Sequence, residues 1–190
     1  MLQLHRILKG IKRSSSSQQR TRRPITIHIL SQISSLLRPT FSEELDTVML
    51  WAAFTLAFFG FLRVSEFTYS SAKTVLAVRD ISFIPNIATP TSMRIHIKQS
   101  KTDPFLQGTT LVIAQSYSPV CAVTALREYL RQRDPADPKK PLFTLQNKEP
   151  LTRALLNSPH SFRIGAATTA ATANIPPWLI KTLGRKRSDC

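Results

Sequence analysis

The chain has 190 residues, with 26 Lys and Arg against 11 Asp and Glu, and therefore a formal charge of +15. At 42% hydrophobic residues it can bury a core, which excludes a wholly disordered chain. Its two cysteines, Cys121 and Cys190, supply neither a disulfide framework nor the four ligands of a zinc site. Collagen, coiled coils and secreted mini-proteins are excluded as well.

The excess of positive charge predicts a polyanionic partner. Nucleic acid is the first candidate, because Lys and Arg release counterions from phosphates, and an anionic membrane surface is the second.

The first 23 residues differ in composition from the rest of the chain. Residues 1–11 have a partly helical apolar spacing, and residues 12–23 are rich in Ser, Gln and Arg, which predicts an exposed linker. Basic side chains of this linker either lie along a DNA backbone or belong to a solvated hinge, and the pattern is compatible with both. The candidate DNA-binding residues are Lys12, Arg13, Arg20, Arg22 and Arg23.

Two helices are predicted after Pro24, over residues 25–37 and from about 44 to 61. The second contains a run of fifteen uncharged residues, 48–62, with apolar residues on every face. A membrane span needs about 20 residues, and Arg63 and Glu66 follow at once. The run therefore predicts the central helix of a soluble core, without a transmembrane segment.

A β-rich stretch and further helices follow. Residues 75–84, 93–98 and 109–114 alternate or are β-branched, which predicts a three-stranded antiparallel unit with a turn at 99–108. Helices are then predicted over 119–133, starting at Pro119, over 151–157, over 160–173, and from Pro176 or Pro177 to 183. The order of helices, small sheet and helices predicts an α+β domain that is mostly α-helical.

Four basic residues stand out, although each has an ordinary structural explanation. Arg63 is predicted to end an otherwise apolar helix, whose C-terminal end favours a cation, and Glu66 lies at ion-pair spacing from it. Lys101 lies at the tip of a predicted hairpin, where a lysine is usually just solvated. His160 and Arg163 share one face at a helix start, and this spacing alone is a weak signal.

In their order along the chain, these residues form a specific pattern. The segments FFGFLRVSEF, KQSKTDP, HSFRIGAATTAA and IKTLGR resemble the catalytic domain of tyrosine recombinases, the phage-integrase family. They are most similar to recombinases of DIRS-like retroelements. The resemblance covers residues 24–190 and implies an integrase-like catalytic core with a small three-stranded sheet. Residues 1–23 are then expected to be a remnant of the preceding core-binding domain plus its basic linker.

The resemblance also implies a role for each candidate residue. Arg63 and Arg163 would clamp the scissile phosphate, and Glu66 would hold the fold around Arg63. Lys101 would be the general acid, with Lys98 a weaker claimant, and His160 would assist proton transfer. Arg185, or Lys186, stands where the family has a His or Trp. The chemistry requires no metal or other cofactor.

The sequence departs from the family pattern in two places. The family nucleophile is a tyrosine beyond the segment that ends at Arg185, whereas the last tyrosine here is Tyr129. We therefore expect the chain alone to be inactive and C-terminally incomplete. The stretch before His160 is also shorter than the family's, which suggests a truncated or decayed copy.

Three functions follow from these observations. The first is a tyrosine-recombinase-like domain that binds double-stranded DNA in recombination and integration, with possible self-association on DNA and without a membrane or small-molecule partner. The second is a non-catalytic DNA-binding protein derived from a mobile element. The third, a basic membrane-surface or scaffold protein with a chance motif match, is disfavoured by the joint pattern. A nuclear location is expected from the family and the basic N-terminus.

Overall fold

The computed structural model describes residues 24–37, 44–70, 75–98, 107–133, 137–156 and 161–185. Two of the predicted catalytic residues, Lys101 and His160, lie outside these ranges. So do Cys190 and the five basic residues of the N-terminal linker, Lys12, Arg13, Arg20, Arg22 and Arg23.

The described chain is mostly helical and contains one three-stranded antiparallel sheet, as predicted. The helices are α1 (Ile27–Leu37), α2 (Leu45–Phe59), α3 (Val64–Phe67), α4 (Ala122–Gln132), α5 (Ser161–Thr172) and α6 (Pro177–Leu183). The strands are β1 (Ile81–Ile84), β2 (Ser92–Ile97) and β3 (Thr109–Ala114), and short 3-10 helices cover Val78–Asp80 and Arg153–Leu155.

Helix α2 is the centre of the core. Apolar residues lie on all its faces, and nine of its fifteen residues are buried. A helix without a polar face is stable only when neighbours cover every side, and α2 packs against α1, α3, α4 and α5. The predicted central helix is confirmed. None of the helices in the described ranges has the combined length and apolar character needed to cross a bilayer.

The sheet has the strand order β1-β2-β3 and places one face on the core. Met93, Ile95 and Ile97 of β2 are buried, whereas the alternate residues Arg94 and His96 are exposed. Pairing of Ile95 with Ile81 on one side and Leu111 on the other aligns the apolar face of all three strands. This alternation is what the sequence pattern predicted.

The first predicted strand is shorter than expected. The sequence predicts a strand over 75–84, but only Ile81–Ile84 is strand, because Val78–Asp80 forms a 3-10 turn. The buried carboxylate of Asp80 accepts a hydrogen bond from the Ala77 amide at 2.7 Å and closes this turn. A local side-chain bond of this kind competes with strand pairing.

Helix α4 begins later than predicted, at Ala122 instead of Pro119. The hydroxyls of Ser116 and Ser118 both donate to the Val120 carbonyl, at 2.9 and 3.0 Å. That carbonyl would otherwise accept a helical hydrogen bond, so the two serines hold the preceding segment in a turn.

Helix α5 is seated by one ring contact and one close backbone contact. The rings of Phe162 and Phe54 of α2 lie 4.8 Å apart between centroids. One helical turn after Phe162, a Cβ at Gly165 would collide with the backbone of Ile25, and Thr169 accepts a hydrogen bond from the Ile27 amide. The segment that enters α1 therefore lies directly on α5, and this fixes the helix that carries Arg163.

We expect Gly165→Ala to destabilise the protein, because the added methyl group meets backbone atoms of Ile25, which cannot rotate away. Overpacking of this kind costs about 1–3 kcal/mol. Thermal unfolding followed by circular dichroism measures the loss, and Thr168→Ala, at an exposed position of the same helix, is the control. An unchanged melting temperature for Gly165→Ala would contradict the seating of α5 on Ile25.

Candidate functional site

The carboxylate of Glu66 accepts hydrogen bonds from two arginines of a cluster. Its Oε1 atom accepts a hydrogen bond from Arg63 Nη1 at 2.9 Å, and its Oε2 atom accepts one from the Arg63 amide at 2.8 Å. Oε2 also accepts a bond from Arg185 Nη2 at 2.6 Å. The Glu66 side chain is only 3% exposed, so water screens these bonds little. The predicted ion pair between Arg63 and Glu66 is confirmed.

Arg63 does not end the long apolar helix, contrary to the sequence prediction. Helix α2 ends at Phe59, and Arg63 immediately precedes the separate short helix α3. Between them the backbone turns sharply at Phe61, which has a left-handed φ of 50°. Because this turn separates the two helices, Arg63 pairs with Glu66 at the start of α3 instead of capping α2.

Arg185 supplies the cation at the C-terminal end of α2. Its Nη1 atom donates to the Gly60 carbonyl at 3.2 Å, and its Nη2 atom donates to the Phe61 carbonyl at 3.3 Å. Carbonyls at a helix C-terminus lack intrahelical partners and favour a cation. The positive charge that the sequence assigned to Arg63 therefore comes from a residue more than 120 positions away.

Arg163 completes the cluster from α5. It is half-buried, and its Nη2 atom lies 3.7 Å from where a Cβ at Gly184 would stand. The pKa of Arg163 is lowered to about 10, mainly because the guanidinium is partly buried. The charges of Arg63 and Arg185 lower it further, whereas Glu66 opposes the shift. Among the described residues, Arg163 has no hydrogen-bond or ion-pair partner.

The cluster has a net positive charge. Three guanidiniums, from Arg63, Arg163 and Arg185, face one carboxylate from Glu66, which leaves a charge of +2. Burial also lowers the pKa of Arg185, with a further contribution from Arg63. Cations that are partly removed from water and repel one another are stabilised by an anion. The arrangement is therefore suited to hold an anionic group beside Arg163.

Lys98, the weaker candidate for the general acid, is already engaged elsewhere. Its Nζ atom lies 2.7 Å from the Asp80 carboxylate and donates to the Val75 carbonyl at 3.1 Å. These contacts tie the end of β2 to the turn before β1, which is a structural role. The roles predicted for Lys101 and His160 remain predictions, because neither residue is described.

The three tyrosines lie in other parts of the described chain. Tyr129 is fully buried, and its hydroxyl donates to the Thr144 carbonyl and accepts from the Thr144 amide, both at 3.0 Å. Burial raises the pKa of this hydroxyl. Tyr69 and Tyr117 line two other cavities, one beside Leu45 and one beside Cys121.

The structure places Arg63, Glu66, Arg163 and Arg185, all named from the sequence, in one cluster. The sequence did not indicate how Arg185 is bound. Its carbonyl partners Gly60 and Phe61 leave no signal in the sequence, since any residue has a carbonyl group. Across the described ranges, His, Cys, Asp and Glu side chains nowhere gather in groups of three that could hold a metal ion.

Solved structures that share this fold include two complexes with DNA. One is a complex of a Flpe variant with a DNA Holliday junction, with a TM-score of 0.53 and 14% sequence identity over 100% of this chain and 53% of that chain. The other is the Tn1549 transposon integrase in complex with circular intermediate DNA, with a TM-score of 0.51 and 13% identity over 91% of this chain and 60% of that chain. The integrase-like catalytic fold predicted from the sequence is confirmed.

The chain spans between half and two thirds of the length of these two proteins. No family model matches the sequence, and no curated protein matches it.

We expect Glu66→Gln to destabilise the protein strongly, because it leaves two half-buried guanidiniums without their counter-charge. Removing one partner of a buried pair costs about 3–5 kcal/mol. Urea unfolding measures the change in the free energy of unfolding. Glu128→Gln is the matched control, since Glu128 also pairs with an arginine three residues away, at 2.8 Å, but with side-chain exposures of 33% for Glu128 and 71% for Arg131. Equal losses in both variants would contradict the central position of Glu66.

Proposed function

We propose that this chain is the phosphate-binding catalytic-type domain of a DNA recombinase in the tyrosine recombinase class. In this proposal, Arg63 and Arg163 bind the non-bridging oxygens of a phosphodiester in duplex DNA. The observation that carries the proposal is Arg163, a half-buried cation beside two others with no partner among the described residues. A bound phosphate would neutralise it.

The arginines suit the chemistry of strand cleavage. Attack on a phosphodiester passes through a five-coordinate phosphorus with extra negative charge on its non-bridging oxygens. Arginine presents a permanently charged planar fork that matches two such oxygens. Because Glu66 holds the Arg63 fork in advance, little reorganisation of this arginine is needed when charge develops, and one preorganised donor typically contributes about 10²–10³ in rate.

Arg185 has a different role from Arg63 and Arg163 in this proposal. Its guanidinium is bound to Glu66 and to the two carbonyls at the end of α2, so it positions the cluster and adds charge. Lys101 would protonate the leaving 5′ oxygen, and His160 would assist proton transfer. These two assignments rest on the sequence resemblance.

A tyrosine nucleophile would have to be supplied from outside the described cluster. Tyr129 is enclosed in the core by its two bonds to Thr144, and Tyr69 and Tyr117 line cavities that the cluster arginines do not line. These positions support a second candidate function for this chain. In that case it is a DNA-binding protein, derived from a mobile element, that binds phosphates without forming a covalent link. Both functions use the same arginine cluster and differ only in the nucleophile.

Finer features of the proposal rest on the resemblance and on charge. They are an origin among DIRS-like retroelements, a role in DNA integration, self-association on DNA and a nuclear location. Net charge supports the choice of DNA as the partner, because +15 on 190 residues favours a polyphosphate.

The DNA-binding part is tested by the salt dependence of affinity for a fluorescent duplex. We expect Arg163→Gln to lower the slope of log K against log salt by about 0.9, the value for one phosphate contact. Arg131→Gln removes the same charge at an exposed site already paired with Glu128, and we expect no change in its slope. Identical slopes for the wild type and Arg163→Gln would overturn the phosphate contact.

The catalytic part is tested with a nicked duplex that traps a covalent protein–DNA band on a denaturing gel. A form of the protein that carries a tyrosine beyond Cys190 is expected to give the band. Arg63→Ala or Arg163→Ala in that form should abolish it while leaving most duplex affinity, because many other phosphates are contacted. A band of equal strength in Arg163→Ala would refute the clamp. DNA binding without any band in that form would favour the non-catalytic function.

A further inference from the structure

A second basic site lies at the opposite end of the central helix. A cavity of about 650 Å³ begins at Leu45, the first residue of α2, whereas the arginine cluster follows the last residue, Phe59. A helix of fifteen residues is about 22 Å long at 1.5 Å per residue. No member of the arginine cluster lines this cavity, so the cavity is separate from the cluster that binds the phosphodiester in the proposed function.

Basic side chains surround this cavity. Arg133, Lys139, Lys140 and Lys148 contribute to its lining, against a single acidic residue, Asp137. The Asp137 carboxylate accepts a hydrogen bond from the Lys139 amide at 2.9 Å, so it is partly committed to its own turn. The lining therefore has a net charge of +3.

Arg133 is held in place before any ligand arrives. Its Nη1 atom donates to the carbonyls of Pro141 and Leu142, at 3.0 and 2.6 Å, and its guanidinium lies 5.8 Å from the centre of the Tyr129 ring. These contacts fix the end of α4 against the loop that carries Lys139 and Lys140. One wall of the cavity is consequently rigid.

The cavity has an apolar interior behind this basic rim. The three lysines are exposed, whereas Leu45, Val75 and Leu145 are half-buried or buried. Tyr69 adds a half-buried aromatic residue, and its amide is fixed by a bond to the Leu151 carbonyl at 2.8 Å. A ligand that fits this cavity has a flat, weakly polar group for the apolar interior and a negatively charged group for the basic rim.

We propose that this cavity binds a nucleotide, with its phosphates on Lys140 and Lys148 and its base in the apolar interior near Tyr69. Its volume lies in the range of small-ligand pockets, about 300–1,000 Å³. Bases stack on aromatic side chains with little sequence preference. The nucleotide is either free or one unit of a nucleic-acid strand, since both present the same base and phosphate.

The test measures binding of a fluorescein-labelled strand of five thymidines to the full chain at several salt concentrations. Lys140→Gln/Lys148→Gln removes two rim charges at exposed positions and should lower the salt slope by about 1.4, the single-strand value for two phosphates. Arg94→Gln/Arg153→Gln removes two exposed charges outside the lining and is the matched control. Equal weakening by both double variants would overturn the proposal, because it would show only the general effect of net charge.

The base contact is tested separately with Tyr69→Leu, which keeps an apolar side chain but removes the ring. We expect affinity for the strand to fall at least about fivefold, the lower end of the contribution of one stacked base. Circular dichroism melting confirms that the variant is folded. If Tyr69→Leu is unfolded, the lysine variants and the competitors below decide the proposal.

Competition experiments identify the ligand. Displacement of the strand by thymidine 5′-diphosphate at lower concentrations than inorganic diphosphate supports recognition of the base and a free nucleotide as the source. Binding of the strand that depends on the two lysines but resists thymidine 5′-diphosphate supports a nucleic-acid strand. If inorganic diphosphate or a heptaglutamate peptide competes as well as the nucleotide, the site is a general anion site and the proposal is wrong.

Discussion

The carboxylate of Glu66 is the constraint on which the candidate site depends. It binds Arg63 from its own short helix and Arg185 from the far end of the described chain, so it joins segments that are distant in sequence. Three arginines in one half-buried place would repel each other, and one enclosed carboxylate offsets part of that repulsion. The charge that remains is what suits the cluster to an anion in the proposed function.

The rest of the fold serves to bring these residues together. The apolar helix α2 has partners on every side, and its C-terminal carbonyls at Gly60 and Phe61 bind Arg185. Helix α5 is seated on α2 through Phe162 and on the entering chain through Gly165, which fixes the position of Arg163. Residues that pack the core are thus next to residues of the site in the sequence. Phe162, which packs on α2, precedes Arg163, and Phe61, which forms the left-handed turn, lies two residues before Arg63.

Much of this could be predicted from the sequence because the signals were local. The apolar run of α2, the alternation of β2 and the spacing of Arg63 and Glu66 each involve residues within a few positions of one another. The position of Arg185 could not be derived in this way, since its partners are main-chain carbonyls exposed by a left-handed turn at Phe61. The start of α4 and the 3-10 turn at Asp80 were missed for a similar reason, because side-chain bonds to the backbone outweighed the local propensity.

The most direct test of the account is the NMR signal of the Arg163 side-chain N–H, assigned by its loss in Arg163→Lys. We predict that this signal shifts and that its hydrogen exchange slows when duplex DNA is added, because a phosphate then shields the guanidinium from water. The signal of Arg131, exposed and paired with Glu128, should not change. An unchanged Arg163 signal in a chain that is saturated with DNA would contradict the central claim that this arginine binds the phosphate.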